Sequence, residues 1–419
     1  MNEIKAISKF PAGVVTVPPS KSQVHRAIIC ALLSCGKSQI ENIAFSQDIM
    51  ATLNAACALG ADYRMVRDSV LEITGIGDKS ALAGVPPVEI DCCESGSTLR
   101  FVLPIVAALG IQAVFTGDGR LMERPIGLYE RVFAQNGAVL ERASSGVSLT
   151  GRLNPGTYRL DGNISSQFVS GLLFALPLLD GDSEIIVENR LESASYVDMT
   201  IDICSKFAVC SQSEGYRKFY IPGRQTYRSA EVYVEGDYSQ AAYFLAAGAL
   251  GADVACAGLP SDSLQGDRAI LDILRKMGAE ITCASSGEIK VYTAGLHAVE
   301  VDVSQTPDIA PPIAAAMCFA HGQSRILGAA RLRFKESDRL RAIAAVLTDL
   351  GADIREQGDT LVINGKPSIR GGQTDSHADH RIAMMAALAA LRCDCKVTLT
   401  GWQCVDKSYP QFWNDWERR

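Results

Sequence analysis

The chain has 419 residues, of which 47% are apolar, more than one ordinary hydrophobic core requires. The composition therefore predicts two domains of roughly 200 residues each. The formal net charge of −7 disfavours a general nucleic-acid or anionic-membrane surface, because such surfaces depend on many exposed Lys and Arg. The N-terminal stretch lacks an apolar run of signal-peptide length, and no later stretch is apolar for long enough to cross a bilayer. We expect a soluble, cytoplasmic protein.

The 13 cysteines are odd in number, and their spacing matches neither a zinc site nor a redox pair. We interpret them as small apolar side chains of a protein in a reducing compartment.

A short polar segment runs directly into a long apolar, helix-like stretch six times along the chain. In chain order, the polar segments are residues 20–23, 94–97, 165–167, 237–240, 307–308 and 379–381. The apolar stretches that follow them are residues 24–33, 99–109, 168–179, 241–250, 309–320 and 382–391. Equivalent positions recur about every 70 residues, a longer period than solenoids and propellers have. Each copy predicts one buried helix with a polar N-terminus.

A second marker follows the first at a similar offset: an amphipathic helix pattern that ends in Gly-Ala and continues as a strand-like run. It occurs at Gly60, Gly137, Gly278 and Gly351, with a degenerate copy at Ala208. Glycine commonly follows a helix C-terminus, and β-branched residues suit a strand. Two markers in phase predict repeated mixed α/β modules, each with one buried helix and one half-exposed helix.

A Ser or Asp before one apolar helix is most simply an N-cap. Six copies favour a further interpretation. If the buried helices of a domain pack side by side, their N-termini can converge and present backbone N–H groups and positive dipole ends. Such a group of N-termini forms an anion site. The sequence therefore predicts small anionic ligands.

Eight segments resemble those of the enolpyruvyl transferase family, and within it the 5-enolpyruvylshikimate-3-phosphate (EPSP) synthases. They are residues 19–27, 95–100, 120–127, 165–168, 307–308, 334–339, 379–383 and 407–410, in the family's order along essentially the whole chain. The resemblance implies a two-domain, inside-out α/β barrel with three βαβαββ units in each domain. It also implies that residues 1–20 and 237–419 form one domain, with the catalytic carboxylates and much of the phosphoenolpyruvate site. Residues 21–236 then form the other, the shikimate-3-phosphate side, with the active site in the cleft between them.

The resemblance implies transfer of the enolpyruvyl group of phosphoenolpyruvate to the 5-hydroxyl of shikimate-3-phosphate, a step of aromatic amino acid biosynthesis. The reaction passes through a tetrahedral intermediate and releases phosphate. Both substrates are anionic, so the site requires several cations, and arginine suits bidentate contacts with carboxylate and phosphate. This scheme calls for no metal and no organic cofactor. We expect a monomer whose partners are small molecules, without nucleic acid or membrane.

By resemblance, the catalytic groups are Asp308 as base for the 5-hydroxyl, Glu336 as the carboxyl group serving C3, and Lys21 as a phosphate-side cation. The residues expected to bind shikimate-3-phosphate are Lys21, Ser22, Arg26, Ser165, Ser166, Gln167, Ser193, Tyr196, Asp308 and Lys335. Those expected to bind phosphoenolpyruvate are Lys21, Gly96, Arg124, Gln167, Arg339, Arg381 and Lys407. Since each set falls in both predicted domains, we expect the domains to close on shikimate-3-phosphate before phosphoenolpyruvate binds tightly.

Several alternatives stay open at this point. Either Lys21 or Glu336 can protonate C3. Read alone, Asp308 is also compatible with a simple N-cap, and residues 335–339 with a capped, solvated helix start. Gly96 is explained by close approach of the backbone to an anion, or by an ordinary loop.

Three positions depart from the commonest family pattern. Glu94 and Ser95 stand where Asn and Ala are frequent, and Arg331 stands where an Asn can contact shikimate-3-phosphate. A carboxylate beside an anion site is unfavourable unless an arginine such as Arg100 neutralises it.

Two other functions compete with this interpretation. Enolpyruvyl transfer to UDP-N-acetylglucosamine is disfavoured, because residues 120–127 lack the cysteine expected there and Lys21 is followed by Ser22 rather than Asn. A non-catalytic phosphometabolite-binding protein is disfavoured because Lys21, Asp308 and Glu336 are all present.

Overall fold

The computed structural model describes residues 3–7, 11–77, 87–143, 146–293 and 295–418. The chain divides into two compact units. Unit 1 comprises Met1–Pro18 and Glu235–Arg419, and unit 2 comprises Pro19–Val234. The boundaries predicted from the sequence, after residues 20 and 236, lie two residues later at each crossing.

The α-helices of the described residues are α1 (Lys21–Leu33), α2 (Gln47–Ala58), α3 (Gly96–Leu109), α4 (Gly127–Gln135), α5 (Ser166–Ala175), α6 (Ser195–Lys206), α7 (Tyr238–Ala249), α8 (Ala269–Lys276), α9 (Ala310–Met317), α10 (Arg339–Asp349), α11 (His380–Ala390) and α12 (Phe412–Trp416). The first half of the strands comprises β1 (Ile4–Ile7), β2 (Gly13–Thr16), β3 (Lys37–Glu41), β4 (Asp62–Arg67), β5 (Val70–Thr74), β6 (Val88–Asp91), β7 (Ala113–Thr116), β8 (Ala138–Ala143), β9 (Gly146–Gly151), β10 (Thr157–Asp161) and β11 (Ser183–Glu188). The second half comprises β12 (Gln212–Glu214), β13 (Lys218–Ile221), β14 (Glu231–Tyr233), β15 (Val254–Ala257), β16 (Glu280–Cys283), β17 (Ile289–Tyr292), β18 (Glu300–Asp302), β19 (Gln323–Leu327), β20 (Asp353–Gln357), β21 (Thr360–Asn364), β22 (Gly372–Asp375) and β23 (Val397–Thr400).

Within the described residues, each unit contains three small sheets; five of the six have four strands and one, in unit 1, has three. In unit 2 the strand orders are β14-β3-β5-β4, β6-β7-β9-β8 and β10-β11-β13-β12. In unit 1 they are β2-β15-β17-β16, β18-β19-β21-β20 and β22-β23-β1. The first two strands of every sheet are parallel and the remaining pairs are antiparallel. This is the predicted βαβαββ pattern, because a parallel pair requires a crossover helix and an antiparallel pair a short connection.

Strand pairing explains why unit 1 is built from two separate stretches of chain. β2 ends before unit 2 begins, and its parallel partner β15 lies beyond the end of unit 2, with Gly13 opposite Val254. In unit 2 the last strand, β14, pairs in parallel with the first, β3, with Glu231 opposite Gln39. In unit 1, β1 also pairs with β23, with Ile4 opposite Thr400. Two sheets of unit 1 therefore combine strands from before and after unit 2, and one sheet of unit 2 combines its first and last strands.

The predicted buried helices are confirmed. In unit 2, α1, α3 and α5 are buried along most of their length, and in unit 1 the same is true of α7, α9 and α11. Their Ala, Leu, Ile and Val side chains form most of two separate cores, one in each unit. A helix that is apolar on every side is stable only in the interior, so in each unit the sheets lie outside it.

The Gly-Ala marker also has the predicted geometry. Gly60, Gly137, Gly278 and Gly351 have φ between 96° and 97°, the left-handed conformation that ends a helix without a Cβ clash. Ala208, the degenerate copy, adopts the same region with φ of 61°. The repeat therefore imposes the backbone turn even where the glycine has been lost.

Candidate active site

The first cluster of candidate site residues lies in unit 1, where the N-termini of three buried helices meet. Arg381, in the first turn of α11, donates from Nη2 to Ser239 Oγ of α7 at 3.0 Å. Its Nη1 donates to the carbonyl oxygen of Asp308, just before α9, at 3.3 Å. The predicted convergence of helix N-termini is thus present within this unit.

Asp308 is the acceptor at the centre of this cluster. Its Oδ1 accepts from Lys335 Nζ at 3.2 Å and from Arg339 Nη1 at 3.0 Å. Its Oδ2 lies 3.3 Å from Arg381 Nη2. Burial would raise the pKa of Asp308, and Glu336 adds to that, but the three cations outweigh both and hold the pKa well below its usual range. Asp308 therefore carries its negative charge at neutral pH.

Arg339 connects Asp308 to two further carboxylates. Nη2 donates to Glu336 Oε2 at 2.6 Å, and Nε and Nη2 donate to the two oxygens of Asp379 at 2.9 Å and 3.1 Å. Asp379 also caps α11, because its Oδ1 accepts from the backbone N–H of Arg381 at 3.0 Å. Burial tends to lower the pKa of Arg339, but Asp379, Glu336 and Asp308 raise it above its ordinary value. The guanidinium is a permanent cation held in one orientation.

The pKa of Lys335 is lowered, whereas that of Arg339 is raised. Burial lowers its pKa, Asp308 opposes that change, and the neighbouring Arg339 and Arg331 lower it further. Neighbouring residues bury the amine, yet 28% of the side-chain surface stays accessible to solvent. Arg331 is fixed beside it by a hydrogen bond from Nη2 to the Ser304 carbonyl oxygen at 2.7 Å.

Lys407 is the remaining unit 1 candidate. It is 3% exposed at the end of the 3₁₀ helix Trp402–Lys407, which follows β23.

The second cluster lies in unit 2, at the N-termini of α3 and α5. Ser95 caps α3 and Ser165 caps α5, each with its hydroxyl oxygen accepting a backbone N–H. Gln167 joins the two ends, because its Nε2 donates to Ser97 Oγ at 2.9 Å and its Oε1 accepts from Arg100 Nη1 at 2.7 Å.

Gly96, the first residue of α3, packs against two guanidinium groups. A Cβ at this position would lie 2.8 Å from Arg124 Nη1 and 3.1 Å from Arg100 Nη1. A side chain at position 96 would therefore displace the guanidinium group of Arg124, and glycine leaves it in place.

Lys21 and Arg26 lie on successive turns of α1. Lys21 Nζ donates to Asp48 Oδ2 of α2 at 2.6 Å. Arg26 is 2% exposed and donates to Thr200 Oγ1 at 2.8 Å and to the carbonyl oxygens of Ser22 and Tyr196 at 2.8 Å and 2.9 Å. Burial lowers the pKa of Arg26 to about 10, so it stays charged at neutral pH. These hydrogen bonds fix the start of α1 against α6 and bring Ser22 close to Tyr196.

The remaining unit 2 candidates surround the starts of α5 and α6. Ser166 is the first residue of α5 and is 4% exposed. Ser193 precedes α6 in the left-handed region, with φ of 57°, and its carbonyl oxygen accepts from the backbone N–H of Tyr196 at 3.1 Å. Helices α5 and α6 are joined by a hydrogen bond from Thr200 Oγ1 to Ser170 Oγ at 2.8 Å.

In unit 1 the structure joins five of the predicted residues in one network: Asp308, Lys335, Glu336, Arg339 and Arg381. It also shows partners that were not expected from the sequence. Asp379 stands in a polar segment that the repeat singled out, so its position was detectable but its pairing with Arg339 was not. Asp48 gave no signal, because nothing in its own surroundings along the chain marks it as the partner of Lys21.

Glu94 is one of the positions that depart from the family pattern, and Arg100 is the arginine named above as able to neutralise it. The Glu94 carboxylate lies beside Gly119, and Arg100 donates to Gln167 and to the Pro125 carbonyl oxygen at 3.4 Å.

Comparison with known proteins decides the family. The family model for EPSP synthase (3-phosphoshikimate 1-carboxyvinyltransferase) matches residues 5–416. The chain belongs to the EPSP synthase family. It is 47% identical to the 3-phosphoshikimate 1-carboxyvinyltransferase of Clostridium kluyveri over 96% of this chain and 94% of that protein. It is 45% identical to the enzyme of that name from Clostridium acetobutylicum over 99% and 96% of the two chains.

Solved structures agree with this membership. A structure of EPSP synthase from Acinetobacter baumannii matches with a TM-score of 0.80 and 27% sequence identity, over 99% of this chain and 97% of that one. The inside-out α/β fold predicted from the sequence is therefore confirmed for this EPSP synthase family member.

Two further observations concern other ligands. Across the described ranges, no group of three or more His, Cys, Asp or Glu is arranged to hold a metal ion. None of the helices in the described part of the chain combines the length and apolarity needed to span a bilayer.

Proposed function

We propose that the residues of both clusters act on one pair of substrates in the reaction of the EPSP synthase family. In that reaction the enolpyruvyl group of phosphoenolpyruvate is transferred to the 5-hydroxyl of shikimate-3-phosphate and phosphate is released. The observation that carries the assignment of residues is the set of cations around Asp308 at converging helix N-termini. This arrangement offers positive charge for anionic substrates and a carboxylate within the same group.

We assign Asp308 as the base that removes the proton of the 5-hydroxyl. Its ionised state suits a base, but the cations that lower its pKa also weaken it. The negative charges of bound substrates would offset Lys335, Arg339 and Arg381 and raise the pKa of Asp308. The base would therefore become stronger when the substrates are in place.

The bond changes define the other roles. A bond forms between O5 of shikimate-3-phosphate and C2 of phosphoenolpyruvate, while C3 gains a proton. The tetrahedral intermediate then loses that proton from C3, the double bond re-forms, and phosphate leaves with the electron pair of its C–O bond. We assign Glu336 to proton transfer at C3 and Lys21 to the charge of the departing phosphate. These steps use side chains alone.

The substrate-binding assignments follow the same division. We propose that Ser22, Arg26, Ser165, Ser166, Ser193, Tyr196 and Lys335 bind shikimate-3-phosphate together with Lys21, Gln167 and Asp308. We propose that Gly96, Arg124, Arg339, Arg381 and Lys407 bind phosphoenolpyruvate together with Lys21 and Gln167. The buried and hydrogen-bonded guanidinium groups support this, because an arginine already fixed in place loses little conformational entropy when an anion binds.

Release of inorganic phosphate tests the proposal directly. The purified protein is incubated with phosphoenolpyruvate and either shikimate-3-phosphate or UDP-N-acetylglucosamine, with and without a chelator. We expect phosphate release only when shikimate-3-phosphate is the acceptor, at a rate that the chelator does not change. Release with the UDP-sugar would overturn the acceptor, and binding of both substrates without release would indicate a non-catalytic protein.

We further propose that the protein acts as a cytoplasmic monomer on small molecules, without nucleic-acid or membrane partners. The net charge of −7 supports this proposal. Light scattering coupled to size-exclusion chromatography tests the oligomeric state, and a mass of twice the chain's 44.9 kDa would contradict it.

A further inference from the structure

Four buried polar side chains in unit 2 form a continuous chain of hydrogen bonds that the proposed mechanism does not use. His25 Nδ1 lies 2.7 Å from Thr52 Oγ1, Thr52 Oγ1 lies 2.6 Å from Thr98 Oγ1, and Thr98 Oγ1 donates to Ser95 Oγ at 2.7 Å. All four residues are 0% exposed. They belong to α1, α2 and α3, counting Ser95 as the cap of α3. We call this set the hydroxyl chain.

Proton counting gives the hydroxyl chain a direction. Each threonine hydroxyl has one proton to donate. Thr98 donates its proton to Ser95, so Thr52 must donate to Thr98. Thr52 then has no proton left, and the nitrogen 2.7 Å from it, Nδ1 of His25, must donate to Thr52. The competing acceptor for Thr52, the Asp48 carbonyl oxygen, is more distant at 3.4 Å.

His25 is therefore a neutral imidazole with its proton on Nδ1. Burial lowers its pKa to about 3, Lys21 and Arg26 add to that effect, and Asp48 opposes it. Nε2 of His25 is buried and has no hydrogen-bond partner within the described part of the chain. A neutral ring donates one hydrogen bond and adds no charge to a helix that already carries Lys21 and Arg26.

The two ends of the hydroxyl chain coincide with two groups assigned to phosphoenolpyruvate. Ser95 Oγ also accepts from the backbone N–H of Thr98 at 3.2 Å, and this cap sets the start of α3 at Gly96. At the other end, α1 begins with Lys21, which is paired with Asp48 one turn before Thr52 on α2.

We propose that His25, Thr52 and Thr98 are positioning residues that hold the N-terminus of α3, with Gly96, in register with Lys21 for binding phosphoenolpyruvate. This inference rests on the proposed function, which gives Gly96 to phosphoenolpyruvate and Lys21 to both substrates. The physical reason is that an anion site made of backbone N–H groups depends on hydrogen-bond distances, and a displacement of about 1 Å can cost about a hundredfold in rate. Apolar packing alone leaves such small sliding motions of helices less constrained than directional bonds do.

Kinetics of three variants test the proposal. Thr98→Val keeps the shape of the side chain and removes the hydroxyl, so it interrupts the chain between α2 and α3. We expect the KM for phosphoenolpyruvate to rise about tenfold, because the N-terminus of α3 is no longer held in place before the anion binds. The KM for shikimate-3-phosphate should stay unchanged, because Lys21 keeps its bond to Asp48. Thr98→Ser, which retains the hydroxyl, should restore the wild-type KM. Thr374→Val is the matched control, because it removes one buried hydroxyl bonded to Asp349 in unit 1, outside both clusters.

A wild-type KM for phosphoenolpyruvate in Thr98→Val would overturn the proposal. Equal increases of KM for both substrates, together with a lowered unfolding temperature and no rescue by Thr98→Ser, would show a purely structural role and would overturn it as well. Should Thr98→Val fail to fold, Thr52→Val interrupts the chain between His25 and Thr98 and carries the same expectation.

Nuclear magnetic resonance of the histidine ring nitrogens gives an independent readout. The chain has five histidines, and His25→Gln identifies the signals of the ring in question. We expect Nδ1 protonated and Nε2 unprotonated in the wild-type protein, and a change of this signature in Thr98→Val. A ring protonated on Nε2 would refute the direction of the chain. Phosphate release by the wild-type protein tests the proposed function separately, because it depends on none of these substitutions.

Discussion

Asp379→Asn is the substitution for which the structure predicts the largest effect on unit 1. The carboxylate is 0% exposed and pairs with Arg339, whose side chain is 1% exposed. Asparagine has nearly the same shape and is as good an N-cap as aspartate, so the bond to the backbone N–H of Arg381 can persist. The substitution therefore removes one negative charge beside a buried guanidinium, and with it the oxygen that accepts from Ser337 Oγ and Arg339 Nε.

The magnitude follows from this burial. Removing one partner of a buried ion pair costs about 3–5 kcal/mol, because the other charge is left without full compensation. Arg339 keeps its bonds to Asp308 and Glu336, so we expect a loss near the lower end, about 3 kcal/mol in the free energy of unfolding. Turnover should fall too, since the same guanidinium is bonded to both proposed catalytic carboxylates.

Asp338→Asn is the matched control. Asp338 caps α10 through the backbone N–H of Arg341 at 3.1 Å and pairs with Arg333 at 3.3 Å. The two paired side chains are 35% and 31% exposed, so solvent screens the pair and its loss should cost at most about 1 kcal/mol. Both aspartates are helix N-caps with an arginine partner in the same unit, and they differ chiefly in burial.

Tryptophan fluorescence during urea unfolding is the assay. The chain has three tryptophans, Trp402, Trp413 and Trp416, and all three lie in unit 1, so the signal reports that unit. We expect Asp379→Asn to lower the free energy of unfolding by about three times as much as Asp338→Asn does, or more. If Asp379→Asn were no more destabilising than Asp338→Asn, burial of the Asp379–Arg339 pair would not govern the stability of this unit.

Predictions at five single sites follow from the same contacts. Ala208→Gly should stabilise unit 2 by about 0.5 kcal/mol in calorimetry, because relief of the left-handed alanine, about 1–2 kcal/mol, exceeds the added freedom of glycine in the unfolded chain. Gly137→Ala should destabilise, since its Cβ would lie 2.6 Å from a backbone carbonyl oxygen, and a stabilised Gly137→Ala would contradict this account of the repeat. His25 is neutral in the folded protein, where its pKa is lowered to about 3, whereas in the unfolded chain it binds a proton below about pH 6.5. The folded state therefore loses stability as the pH falls, by up to about 1.4 kcal/mol for each pH unit. Urea unfolding at pH 7 and pH 5 should show a smaller acid loss in His25→Gln, and an equal loss would place the sensitivity elsewhere. Arg381→Ala should raise the KM for phosphoenolpyruvate far more than that for shikimate-3-phosphate; comparable increases would mean that the two ligands share this cation. Asp308→Ala should lower turnover by about 10²–10⁴-fold while substrate binding measured by calorimetry persists, and near-normal turnover would leave Asp308 as a helix cap.

The sequence by itself determined the repeated architecture. Six apolar stretches, each introduced by a polar segment, specify buried helices because a run without a polar face cannot be stable at the surface. The Gly-Ala marker specified where the second helix of each repeat ends. The left-handed turn at that position belongs to the repeat itself, because Ala208 adopts it without a glycine. Local signals of this kind are readable because the residues that produce them are neighbours along the chain.

The tertiary structure alone decided which charges and hydroxyls meet. Lys21 pairs with Asp48, 27 residues away, and Arg339 pairs with Asp379, 40 residues away. For neither carboxylate does a periodic or local sequence feature predict which cation it contacts. Ion pairs and hydroxyl chains depend on side-chain directions after helices have packed, and packing to within a few tenths of an ångström is set by the whole core rather than by any segment. The sequence therefore indicates which segments supply the site, and only the packed helices show which of their side chains are joined.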